Sequence, residues 1–313
     1  MEVRIRAPAK IILAGEHAVV HGSTAVAAAI DLYTYVSLSF LSPSENDQTL
    51  KLQLKDVSLE FSWPVARIKD AFPNLDSSVA SSPSSCSLET HKSIASLVEK
   101  QKILEANIGL ASGVSAFLWL YTSILGCKPA KAVVHSELPL GAGLGSSAAL
   151  CVALSAAMLS LSDSISIDFS QRGWQIFRDS DLELVNKWAF EGEKIIHGKP
   201  SGVDNTVSTY DDLAITENEE KMGELMEMNQ GLLQCMGVSH SSIETVLRTT
   251  AKYKLYSKLI GAGGGGCVLT LLPTLLSGTV ISKVIAELET CGFQCLIAGI
   301  RGKGVEVSFA RSS

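Results

Sequence analysis

The sequence predicts an α+β protein of two lobes, with mixed sheets and helices and a ligand cleft between the lobes. The chain has 313 residues, which exceeds the size at which one hydrophobic core usually stops growing. Its predicted strands and helices are mixed rather than strictly alternating, which is typical of α+β proteins. A glycine-rich loop also joins a strand directly to an apolar helix, and ligand sites favour clefts near such loops.

Composition excludes several classes of protein. The net charge is −6 without a basic cluster, whereas a nucleic-acid partner requires a stripe of Lys and Arg. The seven cysteines are odd in number and form no Cys-x-x-Cys pair, which favours core thiols in a reducing compartment. The N-terminus lacks the basic start and apolar stretch of a signal peptide. We therefore expect a cytoplasmic protein.

The first part of the chain is predicted to form an antiparallel sheet. Residues 3–14 are apolar and extended, and residues 25–41 alternate between apolar and polar side chains. Two shorter segments, residues 50–54 and 59–61, have the pattern of a hairpin. Helical spacing resumes at about Ser93.

The most apolar segment, residues 108–125, predicts a buried helix. Its length is marginal for a membrane span, and it contains serine, threonine and glycine without flanking basic residues. A span remains the alternative, but we expect no contact with a membrane.

The glycine loop follows a predicted strand at residues 132–137. Alternating glycines at 141, 143 and 145 let the backbone approach a ligand, and Ser146 and Ser147 open a helix. Free N–H groups at a helix start favour a polyanion, so the loop predicts a phosphate site. It lacks the lysine of a Walker A loop and the third glycine of a dinucleotide fingerprint. A tight turn alone would also explain it.

Four charged residues have two interpretations each. Lys10 interrupts an apolar strand, so it should face a carboxylate or an anionic ligand. Glu16 and the adjacent His17 lie at a turn that could simply be solvated. Glu193 lies on a helix predicted from Asp181 to Gly198, and its polar neighbours favour a surface carboxylate. Asp204 could be only a turn former.

The last third of the chain contains a second glycine cluster at residues 261–266. Four consecutive glycines cost about 1 kcal/mol each relative to alanine in regular structure, which indicates a requirement of the backbone. A strand at 268–272, a helix near 282–290 and strands at 294–300 and 305–309 are predicted to complete the second lobe.

Three motifs occur in a fixed order: Gly-Glu-His-Ala-Val-Val-His-Gly after Lys10, the glycine loop, and the cluster that follows Lys258. Together they resemble the GHMP family of small-molecule kinases, and the amino-acid sequence of the motifs is most similar to that of members that phosphorylate mevalonate. The resemblance implies a two-lobed GHMP kinase fold, with an ATP-binding domain at 1–205 and a C-terminal domain at 206–313. It also implies transfer of the γ-phosphoryl group of ATP to the 5-hydroxyl of mevalonate, in isoprenoid and sterol synthesis.

The same resemblance assigns roles to individual residues. The ATP phosphates would lie against Gly141, Ala142, Gly143, Leu144, Gly145, Ser146 and Ser147, with Lys10, Asp56 and Ser136 near the nucleotide. Mg²⁺ would be held by Ser147 and Glu193. Asp204 would be the catalytic base, with Lys10 as its neighbour, and Glu16, His17 and Asp204 would face the substrate. A homodimer is also implied.

One segment departs from the family pattern. Family members carry several tens of additional residues where this chain passes from Thr209 to Leu225, which predicts an internal deletion in the second lobe. A catalytically impaired module that binds nucleotide or dimerises is therefore one alternative. A GHMP kinase of other specificity, similar to galactokinase, is another.

Overall fold

The computed structural model describes residues 2–16, 25–41, 48–72, 82–101, 108–139, 141–162, 164–165, 167, 173–210, 219–300 and 303–310. The strands are β1 (Glu2–Ala14), β2 (Val26–Phe40), β3 (Thr49–Leu54), β4 (Leu59–Pro64), β5 (Ala130–Ser136), β6 (Gln175–Ile176), β7 (Ser257–Ile260), β8 (Cys267–Thr270) and β9 (Glu306–Ala310). The helices are α1 (Val65–Ala71), α2 (Leu88–Glu99), α3 (Ile108–Leu125), α4 (Ser146–Leu161), α5 (Asp179–His197), α6 (Val203–Thr209), α7 (Glu219–Cys235), α8 (Ser241–Ala251) and α9 (Gly278–Thr290).

The main sheet has seven strands in the order β4-β3-β5-β2-β1-β9-β6, and β7 and β8 form a separate antiparallel pair. The long strands β1 and β2 pair antiparallel at its centre, whereas β3 and β5 run parallel. The predicted hairpin is confirmed, since β3 and β4 pair antiparallel and Leu54 faces Leu59 at the turn. This sheet carries Lys10, Asp56 and Ser136 on three of its strands or their turns.

Helix α4 forms the centre of the core. Every residue from Cys151 to Leu161 is buried, so the helix has no solvent-facing side. A helix with apolar and small residues all round must lie inside the protein, which agrees with the sequence prediction. Helices α3 and α5 pack against it, and α4 also contacts β1 and β2.

Helix α3 is the predicted buried helix. Its residues 116–121 are buried in the core, including Phe117 and Tyr121. Among the described helices, none combines the length and apolar character that a membrane crossing requires.

The C-terminal strand differs from the prediction. Residues 294–300 form no strand, and β9 pairs with β1 and β6 in the main sheet. The segment is tied to β2 instead, because Asp31 N–H donates to the Gly299 carbonyl (3.1 Å) and Gly299 N–H donates to the Asp31 carboxylate (2.5 Å). The predicted strand at 294–300 is therefore wrong, and the strand predicted at 305–309 belongs to the main sheet.

A buried ion pair holds β9 to β1. The Glu306 side chain is 3% exposed, and its Oε2 atom lies 2.5 Å from Nη2 of Arg6. The Arg6 guanidinium lies between two aromatic rings, 4.7 Å from the Tyr33 centroid and 4.6 Å from the Trp174 centroid. These contacts satisfy a carboxylate that a strand interior would otherwise exclude.

Two smaller expectations are corrected. Helix α5 begins at Asp179, and its N-cap is Arg178 without a side-chain cap, so Asp181 lies inside the first turn. The seven cysteines are free thiols, but Cys151 is the one that is buried, whereas Cys235 and Cys291 are exposed. The interpretation of all seven as core thiols is wrong for these two exposed residues, and the remaining four are only half-buried.

We expect Glu306→Ala to lower the free energy of unfolding by about 3 kcal/mol, because Arg6 loses its buried partner. Urea denaturation measures this change. Lys187→Ala is the control, since it breaks the exposed pair with Glu183 on α5 and should leave the unfolding midpoint unchanged. Equal effects of the two substitutions would contradict the importance given to the buried pair.

Candidate active site

Lys10 lies at the centre of the candidate site. Its side chain is 4% exposed, and its Nζ atom lies 3.1 Å from Oδ1 of Asp204. Its backbone N–H donates to the Leu144 carbonyl (3.0 Å), which attaches β1 to the glycine loop. Lys10 therefore faces a carboxylate, one of the two partners that the sequence predicts for it.

Asp204 reaches Lys10 because α6 is fixed to β1. The Ser208 hydroxyl donates to the Pro8 carbonyl across a buried contact of 2.8 Å. Asn205 Nδ2 donates to Oδ1 of Asn186 on α5 (2.5 Å). Asp204 itself lies in the first turn of α6 and is about one third exposed, so one side of its carboxylate remains accessible.

Gly145 is required by two features of its environment. Its φ is 72°, a value that disfavours any residue with a side chain, and it is the N-cap of α4. A Cβ at this position would lie 2.8 Å from Cγ of Lys10. Only glycine lets the lysine side chain cross the start of the helix.

The two glycine clusters meet each other. A Cβ on Gly143 would lie 3.3 Å from the Ile260 carbonyl oxygen and 3.4 Å from Cα of Gly261. Gly263 is equally confined, because a Cβ there would lie 2.4 Å from the Val238 carbonyl oxygen. The sequence indicates that the backbone requires glycine in the second cluster. The reason at Gly261 is close contact with Gly143 of the first glycine loop.

Ser147 and Glu193 come together at the start of α4. The Ser147 hydroxyl lies 3.0 Å from Nε2 of His197, and the same hydroxyl lowers the pKa of the Glu193 carboxylate. His197 Nε2 is 4.0 Å from Oε2 of Glu193, one turn earlier on α5. Sequence reasoning missed His197, although its i,i+4 spacing from Glu193 was a usable signal.

Glu193 is buried, in contrast to the surface position that its neighbours favoured. Gly192 permits this, because a Cβ there would lie 2.9 Å from Sγ of Cys151 and 3.1 Å from Cδ1 of Leu120. The pKa of Glu193 is raised to about 7, chiefly by burial and also by the charge of Asp204, whereas the Ser147 hydroxyl, the Cys151 thiol and the charge of Lys10 lower it. Its Oε1 atom is buried and has no hydrogen-bond partner among the described residues.

These donors fit Mg²⁺. The cation prefers oxygen ligands and keeps several waters, and here a hydroxyl and a carboxylate lie together. An unpartnered buried oxygen on a carboxylate whose pKa is raised indicates a group that a cation would stabilise. In the described part of the chain no group of three or more His, Cys, Asp or Glu could hold a metal. A magnesium ion here would therefore depend on phosphate oxygens and water as well.

Asp56 and Ser136 also come together, where the turn after β3 meets the end of β5. The Asp56 Oδ2 atom accepts from the Ser136 N–H (2.7 Å), and Oδ1 lies 2.5 Å from Nδ1 of His135. The Ser136 hydroxyl lies 2.9 Å from that of Thr34. Asp56 thus caps the end of β5 just before the glycine loop.

Glu16 lies in a buried ion pair with Lys258, a residue whose role sequence reasoning missed. The Lys258 ammonium donates to the Glu16 carboxylate, to the Ile12 carbonyl (3.0 Å) and to the Leu259 carbonyl (2.9 Å). Burial lowers the pKa of Lys258, and Glu16 opposes this shift. A lysine in an apolar strand was the same signal that identified Lys10. His17 lies outside the described residues.

A cavity of about 670 Å³ opens beside the glycine loop. Its wall includes Pro139, Gly141, Ala142 and Leu144, and residues 293–300 close the opposite side. Most of the lining is apolar, so the cavity offers space for an organic ligand next to the loop.

Two family models match consecutive parts of the chain. The model for the GHMP kinases N terminal domain matches residues 112–212, and that for GHMP kinases C terminal matches residues 212–299. A mevalonate kinase of Arabidopsis thaliana is 53% identical over 383 aligned residues, which cover 99% of this chain and 100% of that protein. The human mevalonate kinase is 33% identical and covers 98% of this chain and 95% of that protein.

A solved structure has the same fold. The L. major mevalonate kinase in complex with R-mevalonate aligns with a TM-score of 0.59 at 18% identity, covering 98% of this chain and 96% of that one. The alignment with the Arabidopsis protein extends over 383 residues, more than the 313 of this chain, so that relative has positions without a counterpart here. An internal deletion between Thr209 and Leu225 stays a prediction, and residues 211–218 lie outside the described parts.

We expect Gly145→Ala to weaken ATP binding and to destabilise the protein, because its methyl group would displace Lys10. Gly126→Ala is a matched control, since Gly126 has the same φ of 72° without a neighbour within 4 Å. The control should cost only the backbone strain, about 1 kcal/mol. Urea denaturation and ATP titration measure both variants. Equal losses in the two variants would refute the argument from close contact.

We expect the stability of the metal-free protein to fall as the pH rises through about 7. The folded-state pKa of Glu193 lies above its unfolded value, so the folded state binds more protons in between, and this stabilisation is lost above the folded pKa. Denaturation in the presence of a chelator, from about pH 5 to about pH 8, measures the slope. Glu193→Gln should reduce the slope, and an unchanged slope would contradict the assignment.

Proposed function

The chain belongs to the GHMP kinase family, and from this premise we propose that it transfers the γ-phosphoryl group of ATP to the 5-hydroxyl of mevalonate, giving 5-phosphomevalonate and ADP. The observation that carries the proposal is the Lys10–Asp204 pair at the start of α4, in a chain 53% identical to a mevalonate kinase. A product of this reaction enters isoprenoid and sterol synthesis.

We propose that the glycine loop binds the phosphates of ATP. Residues 141–147 lead into α4, whose first N–H groups lack partners within the helix and whose dipole favours an anion. Asp56 and Ser136 would lie on the nucleotide side, at the end of the strand that leads into the loop. The apolar cavity beside Gly141 is large enough to admit an organic ligand.

Asp204 would receive the proton of the attacking hydroxyl. In the proposed step the 5-oxygen forms a bond to the γ-phosphorus, the bond from phosphorus to the β,γ-bridging oxygen breaks, and ADP leaves. Lys10 pairs with the Asp204 carboxylate and adds positive charge near the transferred group. Because an aspartate is a weak base for an alcohol, Asp204 would orient the hydroxyl before it takes the proton late in the transfer.

Mg²⁺ held by Ser147 and Glu193 would neutralise charge on the ATP phosphates. Glu16, with one carboxylate oxygen paired to Lys258 and the other unpartnered among the described residues, would face the substrate together with His17. The second carboxylate oxygen of Glu16 can accept a hydrogen bond from a hydroxyl group.

We also propose that the chain acts in the cytoplasm as a homodimer, with an ATP-binding domain at 1–205 and a shorter C-terminal domain at 206–313. The two family models meet at residue 212, close to that boundary. Leu225, Met228 and Leu232 on helix α7, together with Met236 directly after it, form an exposed apolar stripe that a second copy could cover.

Coupled measurement of ADP production from Mg-ATP, with and without mevalonate, tests the proposed reaction. Asp204→Asn should lower turnover by about 10²- to 10⁴-fold, the range of general acid–base catalysis. Asp70→Asn on the exposed side of α1 is the control and should leave turnover unchanged. Mevalonate-independent turnover, or none in a protein that melts cooperatively and binds Mg-ATP, would overturn the proposal in favour of a nucleotide-binding module.

A further inference from the structure

We propose that His197 is a positioning residue for the metal ligands. It accepts a hydrogen bond from the Ser147 hydroxyl and so leaves the Glu193 carboxylate free for a cation. This inference rests on the proposed function, because Ser147 and Glu193 are the proposed ligands. The carrying observation is the 3.0 Å distance between Ser147 Oγ and His197 Nε2.

The Ser147 hydroxyl has one proton and two candidate acceptors. Nε2 of His197 lies 3.0 Å from the hydroxyl oxygen, and the neighbouring Glu193 carboxylate, whose buried Oε1 atom has no hydrogen-bond partner among the described residues, is the other candidate. A hydrogen bond from Ser147 to Glu193 would occupy a carboxylate oxygen that the cation would use. A hydrogen bond from Ser147 to His197 leaves the lone pairs of the serine oxygen and both carboxylate oxygens of Glu193 available to the cation. The position of His197 therefore determines how many oxygen atoms of Ser147 and Glu193 are available to bind a cation.

The neutral imidazole can play this part. With its proton on Nδ1, the ring presents the Nε2 lone pair to the serine hydroxyl. Groups that orient metal ligands in this way are commonly worth 10- to 100-fold in metal affinity. The 4.0 Å distance from Nε2 to Oε2 of Glu193 exceeds that of a hydrogen bond, so the ring does not consume the carboxylate itself.

The position of His197 argues against a merely structural role. It is the last residue of α5, its side chain is 53% exposed, and Gly198 ends the helix behind it. Helix α5 is fixed to α4 by other contacts, where Gly192 faces Cys151 and Leu120. Replacing the imidazole should therefore change the hydrogen bonding of Ser147 without removing core packing.

Calorimetric titration of the full chain with ATP, once with Mg²⁺ and once with a chelator, tests the proposal. His197→Leu removes the acceptor, and it should lower the magnesium-dependent gain in ATP affinity by about tenfold. Its ATP affinity in chelator should stay within about twofold, since the loop itself is intact. His197→Gln retains an acceptor at similar reach and should keep most of the gain.

Other outcomes would overturn the inference. Equal gains in the unmodified chain and in His197→Leu, equal losses in the leucine and glutamine variants, or a loss that is as large in chelator would each do so. In a Ser147→Ala background, His197→Leu should have no further effect, which guards against a folding defect. If the unmodified chain shows no magnesium-dependent gain at all, the proposed function itself fails.

Discussion

A lysine ammonium inside a sheet is the constraint on which the candidate site depends. Lys10 has almost no access to water, so its charge requires a partner, and Asp204 provides one at 3.1 Å. Three features meet this requirement. The backbone of β1 is hydrogen-bonded to the glycine loop, and the absence of a side chain at Gly145 leaves room for Lys10. The Ser208 hydroxyl holds α6 against β1. The carboxylate proposed as catalytic base is thus fixed by the same contact that makes the lysine tolerable.

The second lobe is attached by a similar device. Lys258 reaches from β7 to Glu16 and to the backbone of β1, and the glycine clusters meet beside it without side chains between them. Lys258 therefore joins the C-terminal part of the chain to β1 beside the glycine loop, whereas Lys10 and Asp204 pair within the first 205 residues. Because loops in backbone contact cannot tolerate larger residues, the spacing of this cleft is set by the glycines themselves.

Much of the fold was predictable from the sequence, because it depends on local patterns. The strands β1 to β5, the buried helix α3 and the start of α4 after Gly145 follow from periodicity and glycine placement. The burial of Glu193 was not predictable, since it depends on how closely α5 approaches α4 at Gly192. The position of β9 in the main sheet was not predictable either, since it depends on the contact between Glu306 and the distant Arg6.

The placement of β9 has a consequence for biosynthesis. Arg6 and Glu306 are 300 residues apart, yet their strands are neighbours in the main sheet. While the ribosome makes the intervening chain, one side of β1 must wait with its N–H and C=O groups unpaired. Such an open edge invites association with other nascent chains, and pairing over this sequence distance is slow. The pairing of residues 2–6 of β1 therefore has to await the last strand of the main sheet.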